Sequence, residues 1–206
     1  MNVLVTGGNG RMARHIVSSD TVKYLTPTRE ELNLELYTSV DNYLKDKIVD
    51  GLILNAFQYL PGEVTLDNFK FVEKEFIKAT QVNLLSTLYL YLKLKSNLKF
   101  IIFLSTGLDP EHESNHIFYR NFKANVSDLL ERLYYQDKLV KTIFLHPGHM
   151  HDDFTFSQSA LQVSKLVDKI DQLDNLSTYG IFDKDKMQAS KLANIKSYQT
   201  IETLQL

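Results

Sequence analysis

The fold is decided by the stretch Asn2-Val-Leu-Val-Thr-Gly-Gly-Asn-Gly-Arg-Met-Ala13. Its apolar start predicts a β-strand over residues 2–6, and the glycines that follow predict a tight turn. Gly7, Gly10 and Ala13 fit a G-x-x-G-x-x-[GA] spacing, which lets a ligand approach the backbone and lets the next helix pack on the strand. The spacing favours a phosphate-binding turn, and an ordinary strand–helix turn is the alternative.

A helix is predicted directly after this turn, because Met12, Ile16 and Val17 are apolar at helical spacing. The first N–H groups of a helix and the positive end of its dipole attract a phosphate. The start of the chain therefore has the features of a pyrophosphate site.

The end of the second predicted strand, at residues 22–26, bears on the choice of nucleotide. In dinucleotide folds an acidic residue after this strand binds the ribose 2′-OH of NAD. This chain has no acid there before Glu30, whereas Arg29 is placed to pair with a 2′-phosphate. Arg11 is a second candidate for that phosphate. The pattern favours NADP over NAD, and a solvated charge at Arg29 is the alternative.

Apolar strands and segments of helical periodicity alternate along the rest of the chain. Strands are predicted at residues 51–54, 99–104, 139–145 and 179–182, and helices at 38–47, 79–94, 118–136 and 159–173. This order predicts an α/β fold, a Rossmann-like doubly wound parallel sheet in three α/β/α layers. We expect one NAD(P)-binding domain over residues 1–206, in which residues 184–206 form a tail or a final edge element.

The strongest catalytic signal follows the predicted strand at residues 99–104. That strand ends in Ser105 and Thr106, and ligands bind at the carboxyl ends of parallel strands. Tyr119 and Lys123 lie four residues apart and so share a helix face. A nearby ammonium stabilises a phenolate, which makes the phenol a usable proton donor or acceptor.

The Tyr-x-x-x-Lys spacing alone is not informative, because the chain contains it five times. Only Tyr119 follows a strand tipped with hydroxyl groups. We interpret the other four pairs as exposed helix faces, at Tyr43/Lys47, Tyr89/Lys93, Tyr91/Lys95 and Tyr134/Lys138.

The composition argues against several classes of protein. The 206 residues are 44% hydrophobic, and 23 Lys and Arg oppose 25 Asp and Glu for a net charge of −2. There is no basic stripe for nucleic acid, no cysteine for a disulfide or thiolate site, and no apolar run long enough for a membrane span.

His146, His149 and His151 lack a helical ligand spacing, so we expect no metal. Without a signal peptide, a cytoplasmic protein is expected.

Together these motifs resemble the short-chain dehydrogenase/reductase family. The resemblance covers nearly the full chain and rests on Thr6-Gly-Gly-Asn-Gly-Arg-Met-Ala13, Asn55-Ala56, Asn83, Ser105-Thr106, Tyr119-x-x-x-Lys123 and Pro147-Gly148. The glycine turn has the form of extended or atypical members, whereas the length is that of compact members. Asn55-Ala56 lacks the glycine that usually follows it.

The resemblance implies hydride transfer between a nicotinamide and a carbonyl or alcohol carbon. Tyr119 would donate or accept the proton, and Lys123 would lower the pKa of Tyr119 and hold the nicotinamide ribose. Thr106 or Ser105 would bind the substrate oxygen, and Asn83 would support a water that relays protons to Lys123. The implied cofactor-binding residues are Gly7, Asn9, Gly10, Arg11, Met12, Ala13, Arg29, Asn55, Ala56, Lys123, Pro147 and Gly148.

Several alternatives stay open at this stage. The stretch Arg29-Glu-Glu-Leu-Asn-Leu34 also resembles nucleotide-sugar reductases and epimerases, and a non-catalytic NADP-binding sensor or scaffold is a third hypothesis. Asn83, a polar residue in an apolar helix, has a local backbone bond or a kink as alternatives to a site role. We expect residues 149–175 to include a small substrate lid. The helices at 79–94 and 118–136 are expected to form a homodimer or homotetramer.

Overall fold

The computed structural model describes residues 1–16, 18–60, 64–104, 117–138, 140–147, 153–181 and 199–200. Within these ranges seven strands form one sheet. They are β1 Asn2–Val5, β2 Lys23–Leu25, β3 Gly51–Leu54, β4 Phe100–Leu104, β5 Lys141–Pro147, β6 Leu176–Ile181 and β7 Gln199–Thr200. All neighbouring pairs are parallel, in the order β2-β1-β3-β4-β5-β6-β7.

This sheet confirms the predicted Rossmann-like α/β class. The chain runs outward from β1 to β2 and then crosses back to β3, so the order reverses between β1 and β3. The six-stranded Rossmann order 3-2-1-4-5-6 has two strands on the β2 side of β1, whereas this sheet has β2 alone there among the described residues. The two-residue strand β7 makes part of the segment 184–206 a final edge element.

Helices cover both faces of the sheet. They are α1 Tyr37–Leu44, α2 Phe69–Thr80, α3 Ser86–Leu94, α4 Ile117–Asp137 and α5 Asp153–Asp168. A π-helical turn, Gln81–Leu85, joins α2 to α3, and short 3₁₀ turns occur at Ala13–His15 and Ile170–Gln172.

The side chains of β4 show how the two cores are divided. Phe100, Ile102 and Leu104 pack with the first 3₁₀ turn and α5, whereas Ile101 and Phe103 pack with α1, α3 and α4. Because both faces are buried, the strand is a continuous apolar run, as is typical of parallel sheets. This arrangement confirms the three-layer prediction.

The prediction of a helix after the glycine turn is wrong. Only Ala13–His15 is helical, as a single 3₁₀ turn, and Ile16 is extended with ψ 122°. The hydroxyls of Ser18 and Ser19 accept hydrogen bonds from the backbone N–H groups of Tyr24 and Val22. Serine side chains that bond nearby backbone compete with helix formation, so the chain returns to the sheet at once.

The helix predicted at residues 79–94 begins earlier, at Phe69. Its first three turns expose Phe69, Phe71, Phe76 and Ile77, which obscures the periodicity that a buried helix shows.

The helix predicted at 159–173 likewise begins earlier, at Asp153, so part of the expected lid is the first half of α5. None of the helices in the described ranges has the length and apolar character to cross a membrane.

Candidate active site

A cleft of about 650 Å³ lies at the carboxyl ends of β1, β3 and β4. It occupies the point where the strand order reverses, which is where open α/β sheets bind ligands. Ten residues predicted for the site line it, namely Gly7, Asn9, Gly10, Arg11, Met12, Arg29, Asn55, Ala56, Tyr119 and Lys123. Ser105, Thr106 and Gly148 lie outside the described residues, Pro147 ends β5, and Ala13 is buried in the core.

A network of hydrogen bonds between Thr6 and Asn55 fixes the floor of the cleft. The Thr6 hydroxyl accepts from the backbone N–H groups of Asn55 and Ala56, at 3.0 Å each, and donates to the Ile53 carbonyl. The Asn55 amide donates to the carbonyls of Thr6 and Gly7. These bonds join the ends of β1 and β3 and hold the glycine turn in place.

Two glycines of the turn are required by backbone geometry. Gly7 has φ +71°, and a Cβ there would lie 3.0 Å from the Ala56 Cα. Gly8, which the motif spacing does not single out, donates to the Pro27 carbonyl, and a Cβ there would lie 2.1 Å from the Thr26 oxygen. Close packing of the turn on the end of β2 therefore depends on Gly8.

Asn83 is buried in the π-helical turn and binds the loop after β3. Its Oδ1 accepts from the Gln58 N–H at 2.8 Å, and its Nδ2 donates to the Gln58 carbonyl at 3.0 Å. The Asn83 side chain thus bonds backbone, but in a loop 25 residues away rather than locally, and the irregularity of its helix is a π-helical turn. A role in proton relay stays a prediction. The pair of bonds fixes the loop that carries Phe57 and Tyr59 into the cleft.

Tyr119 packs within an aromatic cluster formed by Phe57, Tyr59 and Tyr119 itself. The Tyr59 ring stacks on the Tyr119 ring at 5.3 Å, and the Phe57 ring meets it edge-on at 4.6 Å. Burial raises the pKa of Tyr119, and the charge and hydrogen bond of Tyr59 raise it further. The neutral phenol is therefore the favoured form in this arrangement.

Lys123 is buried beside the same cluster, with 5% of its surface exposed. Its Nζ donates to the Leu104 carbonyl at 2.5 Å and lies 4.8 to 5.6 Å from the ring centres of Phe57, Phe103 and Tyr119. Burial lowers the pKa of Lys123 to about 7. The resemblance implied a lowered pKa for Tyr119, and the structure gives the opposite direction.

Phe57 and Tyr59, at this end of the cleft, were not among the residues predicted for the site. Phe57 follows Asn55-Ala56, where the family usually has a glycine, and its ring contacts both Tyr119 and Lys123. The missing glycine was the signal in the sequence that could have revealed Phe57, whose ring lines the cleft.

The charged end of the cleft contains a further residue that was missed, Glu35. The Arg29 guanidinium donates to Glu35, and the Lys78 Nζ lies 3.7 Å from the same carboxylate oxygen. Arg11 lies over the ring of Phe156, which is in the first turn of α5 and lines the cleft. Among the described residues of the expected lid segment, Phe156 is the one that lines the cleft.

Two of the other Tyr-x-x-x-Lys pairs are structural. Tyr89 and Lys93 both bind Asp41 of α1. Tyr91 is buried, so the prediction that it lies on an exposed face is wrong, and it donates to Asp137 of α4 together with Lys95. These pairs fasten α3 to its neighbouring helices.

The buried amine predicts a particular pH dependence of stability. Between about pH 7 and the ordinary lysine pKa of 10.5, the unfolded chain binds a proton at Lys123 that the folded protein lacks. The free energy of unfolding therefore rises with pH in this window, relative to Lys123→Met, by up to about 1.4 kcal/mol per pH unit. Urea unfolding at pH 7, 8, 9 and 10 measures the difference.

The matched control for this measurement is Lys45→Met, which removes an exposed amine at the end of α1. Its difference from the native protein should stay constant with pH. A native-minus-Lys123→Met difference that is flat, or that falls as pH rises, contradicts the assignment of a lowered pKa.

Comparison with solved structures places the chain among known folds. A carbonyl reductase from Pseudomonas aeruginosa PAO1 matches with a TM-score of 0.64 and 15% identity, over 87% of this chain and 95% of that one. A small-chain dehydrogenase in complex with NADPH matches with a TM-score of 0.67 and 16% identity, over the same shares. A serine dehydrogenase from Escherichia coli matches with a TM-score of 0.65 and 15% identity, over 90% and 99%.

Sequence comparison adds nothing to this, since no protein-family model and no curated protein matches the chain. At about 15% sequence identity, the structural similarity is evidence that the chain shares its fold with these proteins. The chain has the fold of the short-chain dehydrogenases and reductases over most of its length.

Proposed function

We propose that the protein is an NADP-dependent oxidoreductase that transfers a hydride between nicotinamide and a small carbonyl or alcohol substrate. The main support for this proposal is one continuous cleft, with the glycine turn and Arg29 at one end and Tyr119 and Lys123 at the other. A phosphate cradle and an acid–base pair are the two parts that such a reaction needs from the protein. NADPH bound to a structural neighbour is consistent with this choice of cofactor.

The residues of the cleft fit a dinucleotide. The positive φ of Gly7 and the close approach at Gly10, where a Cβ would lie 2.9 Å from the Gly7 carbonyl, keep the turn free of side chains. Arg11 and Arg29 supply positive charge for phosphates. A volume of about 650 Å³ is within the usual range for ligand pockets. The turn, Arg11 and Arg29 would hold the cofactor, which supplies the hydride when bound.

Tyr119 would complete the reaction at the substrate oxygen. As a hydride adds to the carbonyl carbon, the Tyr119 O–H gives its proton to the oxygen, and the alcohol forms. The high pKa of the neutral phenol keeps that proton in place until the alkoxide, a much stronger base, develops. Thr106 or Ser105 would hydrogen-bond the same oxygen, and Asn83 would take part in proton supply to Lys123.

Lys123 would hold the nicotinamide ribose, and for this its ammonium has to leave the Leu104 carbonyl. The Phe57 ring lies against that ammonium, so we propose that the ring rotates aside when the nucleotide binds. Phosphate charges in the same cleft favour the ammonium over the amine. The protonated lysine then stabilises the phenolate that Tyr119 becomes.

The non-catalytic sensor is the second candidate, and one observation favours it. Phe57 and Tyr59 both pack on Tyr119, which restricts access to its hydroxyl. A protein that binds NADP without turnover would keep these rings in place. The catalytic hypothesis instead requires them to move.

Tyr119→Phe keeps the ring and removes the hydroxyl, so we expect turnover to fall by about 10²- to 10⁴-fold while NADPH still binds. Lys123→Met should lower turnover and also weaken NADPH binding, because the ammonium serves both steps. Nicotinamide absorbance across a panel of carbonyl compounds measures turnover, and calorimetry measures binding.

The control is Tyr134→Phe, in the same helix and also four residues before a lysine. It should behave as the native protein does. If Tyr119→Phe reduces a carbonyl substrate at the native rate, the hydride-transfer assignment fails and the sensor hypothesis takes its place.

We also propose that NADP(H) binds better than NAD(H), because Arg29 lines the adenosine end of the cleft. Arg29→Ala should weaken NADPH binding by about tenfold, the loss of one charge-assisted contact, and leave NADH binding nearly unchanged. Calorimetric titration with both cofactors provides the measurement. Equal affinity of the native protein for the two cofactors would rule this preference out.

Copies of the chain are proposed to associate as a homodimer or homotetramer through α2 and α3. Ile77, Leu85 and Leu92 are exposed and recur about every two helical turns, so they form an apolar seam on one side of the continuous helix. The outward face of α4 is polar, with hydrogen bonds from Asn125 to Asn121 and from Arg132 to Asp128. The other helix expected at this interface, α4, buries Phe122 against Phe76 of its own chain.

The double variant Ile77→Glu/Leu92→Glu should convert the native oligomer to a monomer, because it places charges in the seam. Tyr135→Glu, at an exposed position on α4, should leave the oligomer intact. Light scattering at high micromolar concentration distinguishes the species. A native protein that is monomeric there refutes the proposal.

A further inference from the structure

Three charged side chains converge at the adenosine end of the cleft. Arg29 comes from the loop after β2, Glu35 from the segment before α1, and Lys78 from α2. The Arg29 guanidinium and the Lys78 ammonium both approach the same carboxylate oxygen of Glu35, with the lysine at 3.7 Å. Arg29 and Glu35 line the cleft. The two cations are thus already bound to an anion that belongs to the protein.

The position of Glu35 is set by the core. Leu32 and Leu34 are buried in the core, and the whole segment from Leu32 to Glu35 lines the cleft. The Asn33 side chain accepts a hydrogen bond from the Glu35 N–H at 3.0 Å, and the Asn33 N–H donates to Ser39 at the start of α1. The buried leucines and these bonds hold the Glu35 backbone against the cleft.

A carboxylate held between two cations has the chemistry of a bound phosphate. Guanidinium and ammonium groups that pair with a carboxylate also pair with a phosphate monoester. Such a phosphate carries a charge of about −1.5 to −2 at neutral pH. A nucleotide 2′-phosphate must therefore displace Glu35 from Arg29 and Lys78, or bind beside it against repulsion. An adenosine with a free 2′-hydroxyl meets neither cost, because a carboxylate accepts a hydrogen bond from that hydroxyl.

We propose that Glu35 is a specificity-determining residue, an internal anion that competes with the 2′-phosphate for Arg29 and Lys78. The inference rests on the proposed function, since it concerns the adenosine end of the same nucleotide site. The preference for NADP over NAD would then depend on how far the attraction of Arg29 and Lys78 for the 2′-phosphate exceeds the competition from the Glu35 carboxylate. Removing the carboxylate should therefore widen that preference.

The test uses fragments that contain only the adenosine end, adenosine 2′,5′-bisphosphate and adenosine 5′-monophosphate. Calorimetry at low salt compares the native protein with Glu35→Gln and Glu30→Gln. The control removes the same charge from the same loop, and Glu30 is exposed and does not line the cleft. Both changes keep side-chain size, and thermal unfolding confirms that each variant folds.

Glu35→Gln should bind the bisphosphate about tenfold more tightly than the native protein, as expected when two cations are released from an internal partner. Its affinity for the monophosphate should stay within about twofold, because the amide oxygen still accepts from a hydroxyl. Glu30→Gln should change both affinities by less than about threefold, since a screened surface charge acts weakly.

Three results would overturn the inference, and they differ in what they say about the proposed function. Native binding of both fragments with no gain in Glu35→Gln rejects the competitor role and leaves the nucleotide site standing. Equal gains in Glu35→Gln and Glu30→Gln show a general charge effect and also reject it. Absence of binding by every variant at millimolar concentration rejects both the inference and the nucleotide site.

Discussion

The hydrogen bonds between Thr6 and Asn55 are the constraint on which the rest of the site depends. They join the two strand ends that diverge at the reversal of the sheet, and they hold the glycine turn against the loop after β3. Asn83 extends the same connection by binding both backbone groups of Gln58. Buried polar groups are costly when unpaired, so each member of this network restricts the others. The network joins the glycine turn, the loop after β3 that carries Phe57 and Tyr59, and the π-helical turn.

The two ends of the cleft differ in how ready they are for a ligand. The end at the glycine turn is shaped by Gly7 and Gly8, where backbone approaches backbone and side chains are excluded. At the other end, Phe57 and Tyr59 pack on Tyr119, and the amine of Lys123 is covered by rings. Burial raises the pKa of the Tyr119 phenol and lowers that of the Lys123 amine to about 7, so burial disfavours the charged form of each group. Under the proposed function, catalysis by this pair would require the aromatic rings to move and negative charge to be added by the nucleotide.

Much of the fold could be predicted from the sequence, because strands that are buried on both faces are uninterrupted apolar runs such as Phe100–Leu104. The contact between Tyr119 and Lys123 follows from their spacing on one helix. The prediction of a helix after the glycine turn failed because the hydroxyls of Ser18 and Ser19 accept hydrogen bonds from the backbone near β2, which apolar periodicity does not reveal. Glu35 was missed because its partners come from separate elements, and the buried Tyr91 because its partner Asp137 lies on another helix. The roles of Ser105 and Thr106 remain predictions, since both lie outside the described residues.

The proposed function requires the cleft to bind a dinucleotide whose nicotinamide end lies at Tyr119 and Lys123. A crystal structure of the protein grown with NADP⁺ should show the adenosine end at Arg29, the nicotinamide ring at Tyr119, and the Phe57 ring turned away from the Lys123 ammonium. A nucleotide bound outside the cleft, or bound with Phe57 and Tyr59 still packed on Tyr119 and the nicotinamide in solvent, would contradict the proposed function.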